Sequence, residues 1–216
     1  AVPSLWTNVN TTLTTNRWYH FTYTLSTKSY NSSGGSGTQV RCRIYKDSVL
    51  VTTSYGVAGG DFPNDTGTFL TIGKSQDEGR GFKGYITDVR IYNKELEQSE
   101  INKIYNYKSL ETNLLCWYKF NSDGFLNDSS GNTLTLTNSG VVPDSDAQEG
   151  DKAALFGGDD YLYITPPSTN YFNPTVFSIA FWYKFPHNDG NPQWLTLLSA
   201  RNAYQNGWAI YSVSNF

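Results

Sequence analysis

Two stretches of the sequence carry large apolar side chains at every second position, and this spacing limits the fold more than any other feature. The stretch VFSIAFWYKF (176–185) has Phe177, Ile179, Phe181, Tyr183 and Phe185 in alternation. The stretch RWYHFTYTL (17–25) has Tyr19, Phe21, Tyr23 and Leu25 in alternation. Because successive side chains of a β-strand point to opposite faces, each stretch predicts a strand with one face against an apolar core.

Other strand-like runs are short and separated by turn-rich segments. Strands are predicted at 40–47, 68–73, 85–93, 114–120, 194–200 and 207–213, and a hairpin with a Gly-Gly-Asp-Asp turn at 153–164. Residues 28–39, KSYNSSGGSGTQ, predict a turn or flexible loop. Aromatic residues make up 16% of the chain and charged residues only 16%, which suits ring-rich strands joined by polar turns. The pattern predicts an antiparallel β-sandwich.

One helix is predicted over residues 94–107. Leu96, Ile101, Ile104 and Tyr105 recur at helical spacing, and acidic residues cluster in the first half, where they suit the positive end of the helix dipole. This helix would cover a sheet edge or close one end of the sandwich.

The charge pattern argues against two classes of partner. The net charge is −3 and the basic residues are dispersed, so the chain lacks the basic patch of a nucleic-acid-binding protein. No apolar run is long enough for a membrane span. The chain also contains no Met, which suggests a processed product or a piece of a longer protein.

Six motifs stand in consistent spacing: WYKF with DSSGN (117–132), ALFGGDDYLYI (154–164), FSIAFW (177–182), WYHF (18–21), RIYKDS (43–48) and GYITDVRIYNKELEQSEI (84–101). Together they resemble the laminin G-like jelly-roll domains of the concanavalin A-like lectin/glucanase group. The chain departs from the family pattern at Ser48, where the family has glycine, and at Thr87, an extra residue before Asp88. The resemblance implies an all-β antiparallel jelly-roll sandwich of two packed sheets with one short helix.

The order of the motifs is rotated relative to the family. Residues 1–108 match the C-terminal half of a jelly-roll unit, 109–113 form a linker, and 114–216 match the N-terminal half. The chain is then either cut from a tandem array or circularly permuted. Because each half alone would leave an open sheet edge, we expect the halves to pack as one sandwich, within one chain or swapped between chains.

The resemblance implies a structural calcium ion between the opening loop and the aspartate of the closing strand. Calcium prefers carboxylate and carbonyl oxygens. The residues at these places are Asp88, Asn127, Asp128, Gly131, Asp159 and Asp160. The alternative is that Asp88 pairs with Arg90 or caps backbone amides.

No catalytic arrangement is recognisable, so the chain is predicted not to be an enzyme. None of its glutamates lies in the E-x-D-x-x-E strand of the related glucanases, and His20 fits a packing role within the family's W-x-H strand. Loop rings and polar side chains suit glycan recognition instead. The candidates are Phe62, Asn64, Asp65, Arg80, Trp194, Tyr204 and Asn206.

Two functions follow from these features. The first is a non-catalytic module of a larger surface or secreted protein that recognises glycans or protein partners. The second is a structural assembly module of a virion-surface or fibre protein, which contacts neighbouring repeats or capsid proteins. Both imply an extracellular, cell-surface or virion-surface location.

Two further features leave alternatives open. Cys42 and Cys116 each lie in an apolar run, which favours two buried free thiols over one disulfide. Four sequons, at Asn10, Asn31, Asn64 and Asn127, permit glycosylation without establishing it.

Overall fold

The computed structural model describes residues 11–32, 35–57, 69–75, 80–168, 171–185, 194–201 and 207–213. The strands are β1 (Tyr19–Ser32), β2 (Gly35–Lys46), β3 (Val49–Val57), β4 (Phe69–Ile72), β5 (Lys83–Tyr92), β6 (Leu114–Tyr118), β7 (Thr137–Ser139), β8 (Val142–Asp144), β9 (Ala153–Gly157), β10 (Tyr161–Ile164), β11 (Phe177–Lys184), β12 (Trp194–Arg201) and β13 (Gly207–Val213). The helix α1 spans Gln98–Tyr105.

These strands form two antiparallel sheets, which is the jelly-roll sandwich that the resemblance implied. The eight-stranded sheet has the order β3-β2-β1-β11-β5-β9-β8, and β6 also pairs with β5. The five-stranded sheet has the order β13-β12-β4-β10-β7. Strands from residues 1–108 and from residues 114–216 occur in both sheets. The order of the two segments, as array fragment or permutant, stays a prediction.

The core between the sheets follows from the alternation in the sequence. Strands β1 and β11 pair with Phe21 opposite Phe181 and Tyr19 opposite Tyr183, and all four rings are buried. Cross-strand pairs of this kind stabilise a sheet by about 0.2–1 kcal/mol each beyond their burial. The predicted inward faces of β1 and β11 are therefore confirmed.

The closing strand β5 is the most connected element of the sandwich. Its first half pairs with β9, its second half with β6, and β11 lies along its other side. A β-bulge places Asp88 and Val89 opposite the single residue Phe181, beside Thr87, the residue that departs from the family pattern. Asp88 adopts a left-handed φ of 54°, which aspartate tolerates better than most residues.

The helix packs on the outer face of the eight-stranded sheet, so the prediction that it covers an edge or an end is wrong. Ile101 and Ile104 contact buried side chains of β2, β5 and β11, among them Tyr92 and Ala180. The helix also begins four residues later than predicted. Ser178 Oγ bonds the carbonyl of Lys94 and the amide of Leu96, which holds that segment in place before the helix starts.

Two loop predictions are also wrong. Residues 28–32 and 35–39 continue the β1–β2 ladder, because backbone hydrogen bonds need no apolar side chains to extend a hairpin. Residues 153–164 are not a hairpin, since β9 belongs to the eight-stranded sheet and β10 to the five-stranded sheet. Gly158, with φ of 104°, turns the chain at this corner between the sheets.

Three further predictions concern the two cysteines, His20 and membrane spans. Cys42 and Cys116 are buried free thiols, and burial raises the pKa of Cys42 to about 12. His20 is fully buried, as its packing role requires. In the part of the chain described above, no helix has the length and hydropathy of a membrane span.

Candidate functional site

The outer face of the five-stranded sheet carries a cluster of partly exposed rings. Leu70, Ile72 and Leu162 occupy the core face of β4 and β10, so the alternate residues point outward. The ring centroids of Tyr161 and Tyr163 are 5.7 Å apart. A third ring, that of Phe69, meets Tyr163 edge-on at 5.8 Å. We call Phe69, Tyr161 and Tyr163 the aromatic cluster.

Small hydroxyl side chains continue this face beside the aromatic cluster. The strand register places Thr137 and Thr71 on either side of Tyr163, and Ser199 next to Thr71. Thr71 Oγ1 donates to the Ser199 carbonyl at 3.3 Å. Because these side chains are short, the sheet surface is lower next to the rings.

A depression of about 250 Å³ lies at this step in the surface. It is lined by Phe69, Thr71, Lys74, Ser75, Tyr161 and Tyr163. Its volume is slightly under the ~300–1,000 Å³ typical of pockets for drug-sized ligands, so it suits a small polar group with an apolar face.

Charged and polar groups stand at the rim of the depression. Lys74 Nζ lies 3.1 Å from Asp159 Oδ1, and the Asp159 side chain is 96% exposed. Ser75 Oγ accepts a hydrogen bond from Arg201 Nε at 3.4 Å. The depression thus combines rings with hydroxyl, ammonium and carboxylate groups, which can recognise a ligand that is apolar on one side and rich in hydroxyls on the other.

Two of the predicted glycan-binding residues lie on described segments of the chain. Trp194, at the start of β12, is 39% exposed and meets Tyr211 edge-on at 6.0 Å. Arg80 is exposed, and its carbonyl accepts a hydrogen bond from the amide of Thr196. Neither lines the depression. Phe62, Asn64, Asp65, Tyr204 and Asn206 lie outside the described residues.

The aromatic cluster was not among the sequence-based candidates. Tyr161 and Tyr163 lie in YLYI, where the alternation signals a strand, and glycan-binding rings were sought in loops instead. The sequence did contain a signal for them. Tyr161 and Tyr163 share one face of this strand, and Leu162, which is buried, lies on the other face.

The predicted metal residue Asp88 lies in a buried charge network under the loop that precedes β9. Its Oδ1 accepts from Arg90 Nε at 2.8 Å and from Trp117 Nε1 at 2.5 Å. Arg90 also donates to the Lys108 carbonyl at 3.0 Å and lies over the Trp117 ring at 4.3 Å. The alternative prediction, that Asp88 pairs with Arg90, describes this geometry.

Glu149 completes this network from the loop. Its Oε2 is 3.6 Å from Arg90 Nη2, so the same guanidinium faces both Glu149 and Asp88. Burial, and then the Asp88 carboxylate, raise the pKa of Glu149 to about 8. Asp88 Oδ2 and Glu149 Oε2 are both buried without a hydrogen-bond partner.

Asp128 holds the opening loop in shape and is close to the same network through Trp117. Its Oδ1 accepts from the amides of Trp117 and Ser130, and its Oδ2 accepts from Ser130 Oγ and the amide of Leu134. Four donors occupy its two oxygens. Asn127 and Gly131 are exposed in the same loop.

Asp159 and Asp160 lie away from the charge network around Asp88. The register pairs Ile86 with Ala154 and Lys83 with Gly157, so the corner after β9 lies at the opposite end of that strand from Asp88. Asp160 Oδ2 accepts from the Gly157 amide at 2.6 Å and closes the corner.

The residues predicted for calcium do not fit the ion in this arrangement. Arg90 and Trp117 direct N–H groups at Asp88, and Asp128 is saturated by donors. Within the described segments, no group of three or more acidic, histidine or cysteine side chains could hold a metal. We assign calcium no part in the function proposed below.

A calcium titration tests this assignment directly. We expect the melting temperature to stay the same in excess EDTA and in millimolar Ca²⁺, because an internal guanidinium already neutralises Asp88. Differential scanning fluorimetry measures the difference. A rise of the melting temperature in Ca²⁺ that disappears in the Asp88→Asn variant would show that calcium binds at Asp88.

Comparison with known proteins identifies one family. Residues 4–102 match the model of the laminin G-like family described as the concanavalin A-like lectin/glucanases superfamily. The matched residues include β1 to β5 and the start of α1, and residues 103–216 lie outside the match. No match was found among curated proteins or among solved structures.

Proposed function

We propose that this chain, whose residues 4–102 match the model of the concanavalin A-like lectin/glucanases superfamily, is a non-catalytic module that recognises glycans on the outer face of its five-stranded sheet. Laminin G-like and lectin-like domains bind glycans or proteins, and they commonly occur in extracellular proteins. The match therefore supports a binding role on a surface or secreted protein, and the choice of glycans depends on the site itself.

The observation that supports glycans is the depression beside the aromatic cluster. A pyranose ring has an apolar C–H face and an edge of hydroxyl groups. The C–H face can pack on Tyr163 or Tyr161, while the hydroxyls reach Lys74 and Asp159 at the rim and the buried Ser75 below it. The two tyrosines already contact each other and Phe69, so their conformational freedom is limited before a ligand arrives.

A glycan array with the labelled protein tests this function. We expect binding to a defined set of glycans and a loss of affinity of about tenfold or more in Tyr163→Ala, because removal of one stacking contact is worth roughly 1.4 kcal/mol. Tyr163→Phe, which keeps the ring, should retain most of the affinity. Melting curves of each variant exclude unfolding as the cause.

The matched control is Tyr107→Ala. Tyr107 is 43% exposed and lies after α1, on the other sheet, where it stacks on Trp182. Its removal should leave glycan binding unchanged. Equal losses in the Tyr163 and Tyr107 variants, or no binding to any glycan by the parent protein, would refute the site.

The module is proposed to bind without hydrolysing its ligand. Laminin G-like domains are generally non-catalytic. The carboxyl groups of Asp88 and Glu149 both face the buried guanidinium of Arg90, so the protein's own side chain stands where a glycosidase pair would hold a sugar. Bound oligosaccharide should therefore be recovered intact.

An assembly module of a virion-surface or fibre protein is the second candidate. The observation that favours it is β3, a nine-residue edge strand without charged residues that exposes Val49, Leu50, Val51 and Tyr55.

A further inference from the structure

The depression beside the aromatic cluster is closed at both ends along the strands. Phe69 stands at one end, on the first residue of β4, and its ring meets the ring of Tyr163 at an interplanar angle of 86°. The ion pair of Lys74 with Asp159 stands at the other end, beside Tyr161. A ligand that lies along β4 and β10 therefore has a wall at each end.

A hydrogen bond closes the side of the depression towards β12. Arg201 lies beside Phe69 in the strand register, whereas Ser75 belongs to the segment that follows the opposite end of β4. Arg201 Nε donates to Ser75 Oγ at 3.4 Å, so these two side chains bridge the two ends. The short outward side chains of Thr71 and Ser199 are only 3% and 1% exposed, as expected beneath such a bridge.

The rings of Tyr161 and Tyr163 close the remaining side, towards β7. Both stand on β10, where they lie opposite the smaller Ser139 and Thr137 of β7. Within the described residues, the depression is therefore closed on four sides and opens only away from the sheet. Its volume of about 250 Å³, below the ~300–1,000 Å³ of pockets for drug-sized ligands, suits a single pyranose residue.

We propose that the depression receives the terminal residue of a glycan chain, and that Lys74 and Asp159 together recognise two adjacent hydroxyl groups of that residue. This inference rests on the function proposed above, because it specifies which part of a glycan enters the same site. An internal residue continues into a neighbour on both sides, and at least one neighbour would meet a wall. A terminal residue has one linkage, which can leave through the open top.

The ion pair has the geometry and chemistry for two adjacent hydroxyls. Lys74 Nζ and Asp159 Oδ1 are 3.1 Å apart, so they can face neighbouring oxygens on one edge of a sugar ring. The ammonium group donates to a hydroxyl oxygen, and the carboxylate accepts from a hydroxyl hydrogen. The Asp159 side chain is 96% exposed, and exposed ion pairs contribute little stability, so both groups can turn to a ligand at low cost.

An array of paired glycans tests whether a terminal residue is required. Each glycan that binds is compared with the same chain extended by one different sugar beyond its terminal residue. We expect the extension to weaken binding at least tenfold, because the recognised residue then becomes internal. Equal binding of the original and extended chains would overturn this inference and leave the proposed function standing. Absence of binding to every glycan would overturn both.

The role of the ion pair is tested with deoxy sugars. The probe is the methyl glycoside of the terminal sugar that the bound glycans share, used as an inhibitor with one hydroxyl at a time replaced by hydrogen. Loss of either of two adjacent hydroxyls should weaken inhibition about tenfold. In Lys74→Met and Asp159→Asn the same replacements should matter less than threefold, because the partner of the missing hydroxyl is already gone.

The matched control is Lys103→Met, which removes an exposed lysine of α1 on the other sheet. This variant should keep the full tenfold sensitivity to the two hydroxyls. Sensitive hydroxyls that are not adjacent on the ring would overturn the assignment of the ion pair. The same pattern of sensitivity in the parent protein, Lys74→Met and Asp159→Asn would overturn it as well.

Discussion

Replacing Arg90 with alanine should lower the free energy of unfolding by about 3–5 kcal/mol, because it leaves the Asp88 carboxylate buried without a cation. The Arg90 side chain is fully buried and bonds Asp88, the Lys108 carbonyl and the Trp117 ring. It thereby joins β5 to β6 and to the segment that links the two halves of the chain. Urea denaturation followed by tryptophan fluorescence measures the loss.

A double-mutant cycle separates the ion pair from the lost packing. Asp88→Asn keeps a residue that tolerates the left-handed backbone, and in its presence Arg90→Ala should cost clearly less than alone. The matched control is Arg43→Ala, which removes a more exposed pair with Glu95 and should cost under about 1 kcal/mol. If Arg90→Ala and Arg43→Ala cost the same, the buried network is not an anchor. Arg90→Leu provides a folded alternative should the alanine variant not express.

Stability should fall as the pH drops below 6.5, and His20 should account for much of that fall. Burial, and then the nearby Arg90 charge, lower the pKa of His20 to about 3. The ring lies between Trp182 and Tyr105, and neither ring nitrogen has a hydrogen-bond partner. Between pH 6.5 and pH 3, His20 takes up a proton in the unfolded state but not in the folded state. The stability that the neutral ring contributes is therefore fully present above pH 6.5 and is lost as the pH falls towards 3.

The expected loss at pH 4 is about 3 kcal/mol, at 1.36 kcal/mol for each pH unit below the unfolded pKa. His20→Phe fills the same position and cannot take a proton, so its stability should change less between pH 7 and pH 4. Denaturation curves at both pH values give the difference, and His187 is present in both proteins. Parallel pH profiles for parent and variant would contradict this role.

The strands were predictable where large apolar side chains share one face. Phe177 to Phe185 and Tyr19 to Leu25 alternate because that face meets the core between the sheets, although the other face of β11 is buried as well. Asp47 and Ser48, in the turn between β2 and β3, both adopt positive φ values although serine stands where the family has glycine. The strands β7 and β8 were missed because three residues cannot establish a period.

The corner between β9 and β10 was mistaken for a hairpin because local sequence does not say which sheet a strand joins. Gly-Gly-Asp-Asp suits both a hairpin turn and a corner. Partner choice depends on Ala153 to Gly157 finding β5, a strand about seventy positions earlier in the chain.

The site was harder to predict than the fold, again because local sequence does not say which strands become neighbours. The depression combines Phe69 and Lys74 with Tyr161 and Tyr163, which only the sheet order β4-β10 brings together. Asp88 was correctly singled out as an aspartate in an apolar strand that needs a partner. Its sequence neighbour Arg90 meets that need, with Trp117 as a second donor that spacing alone does not reveal.

The position of β5 has a consequence for synthesis on the ribosome. Strands β1, β2 and β3 can pair as soon as they emerge, because each lies next to its sequence neighbour. Strand β5 has no such option, since its neighbours are β6, β9 and β11. Its long flank stays open until residues 177–184 have been translated, and pairing over such separations is slow. The nascent chain therefore carries this strand with one flank open while the residues from 93 to 184 are added, the stage at which a chaperone would matter most.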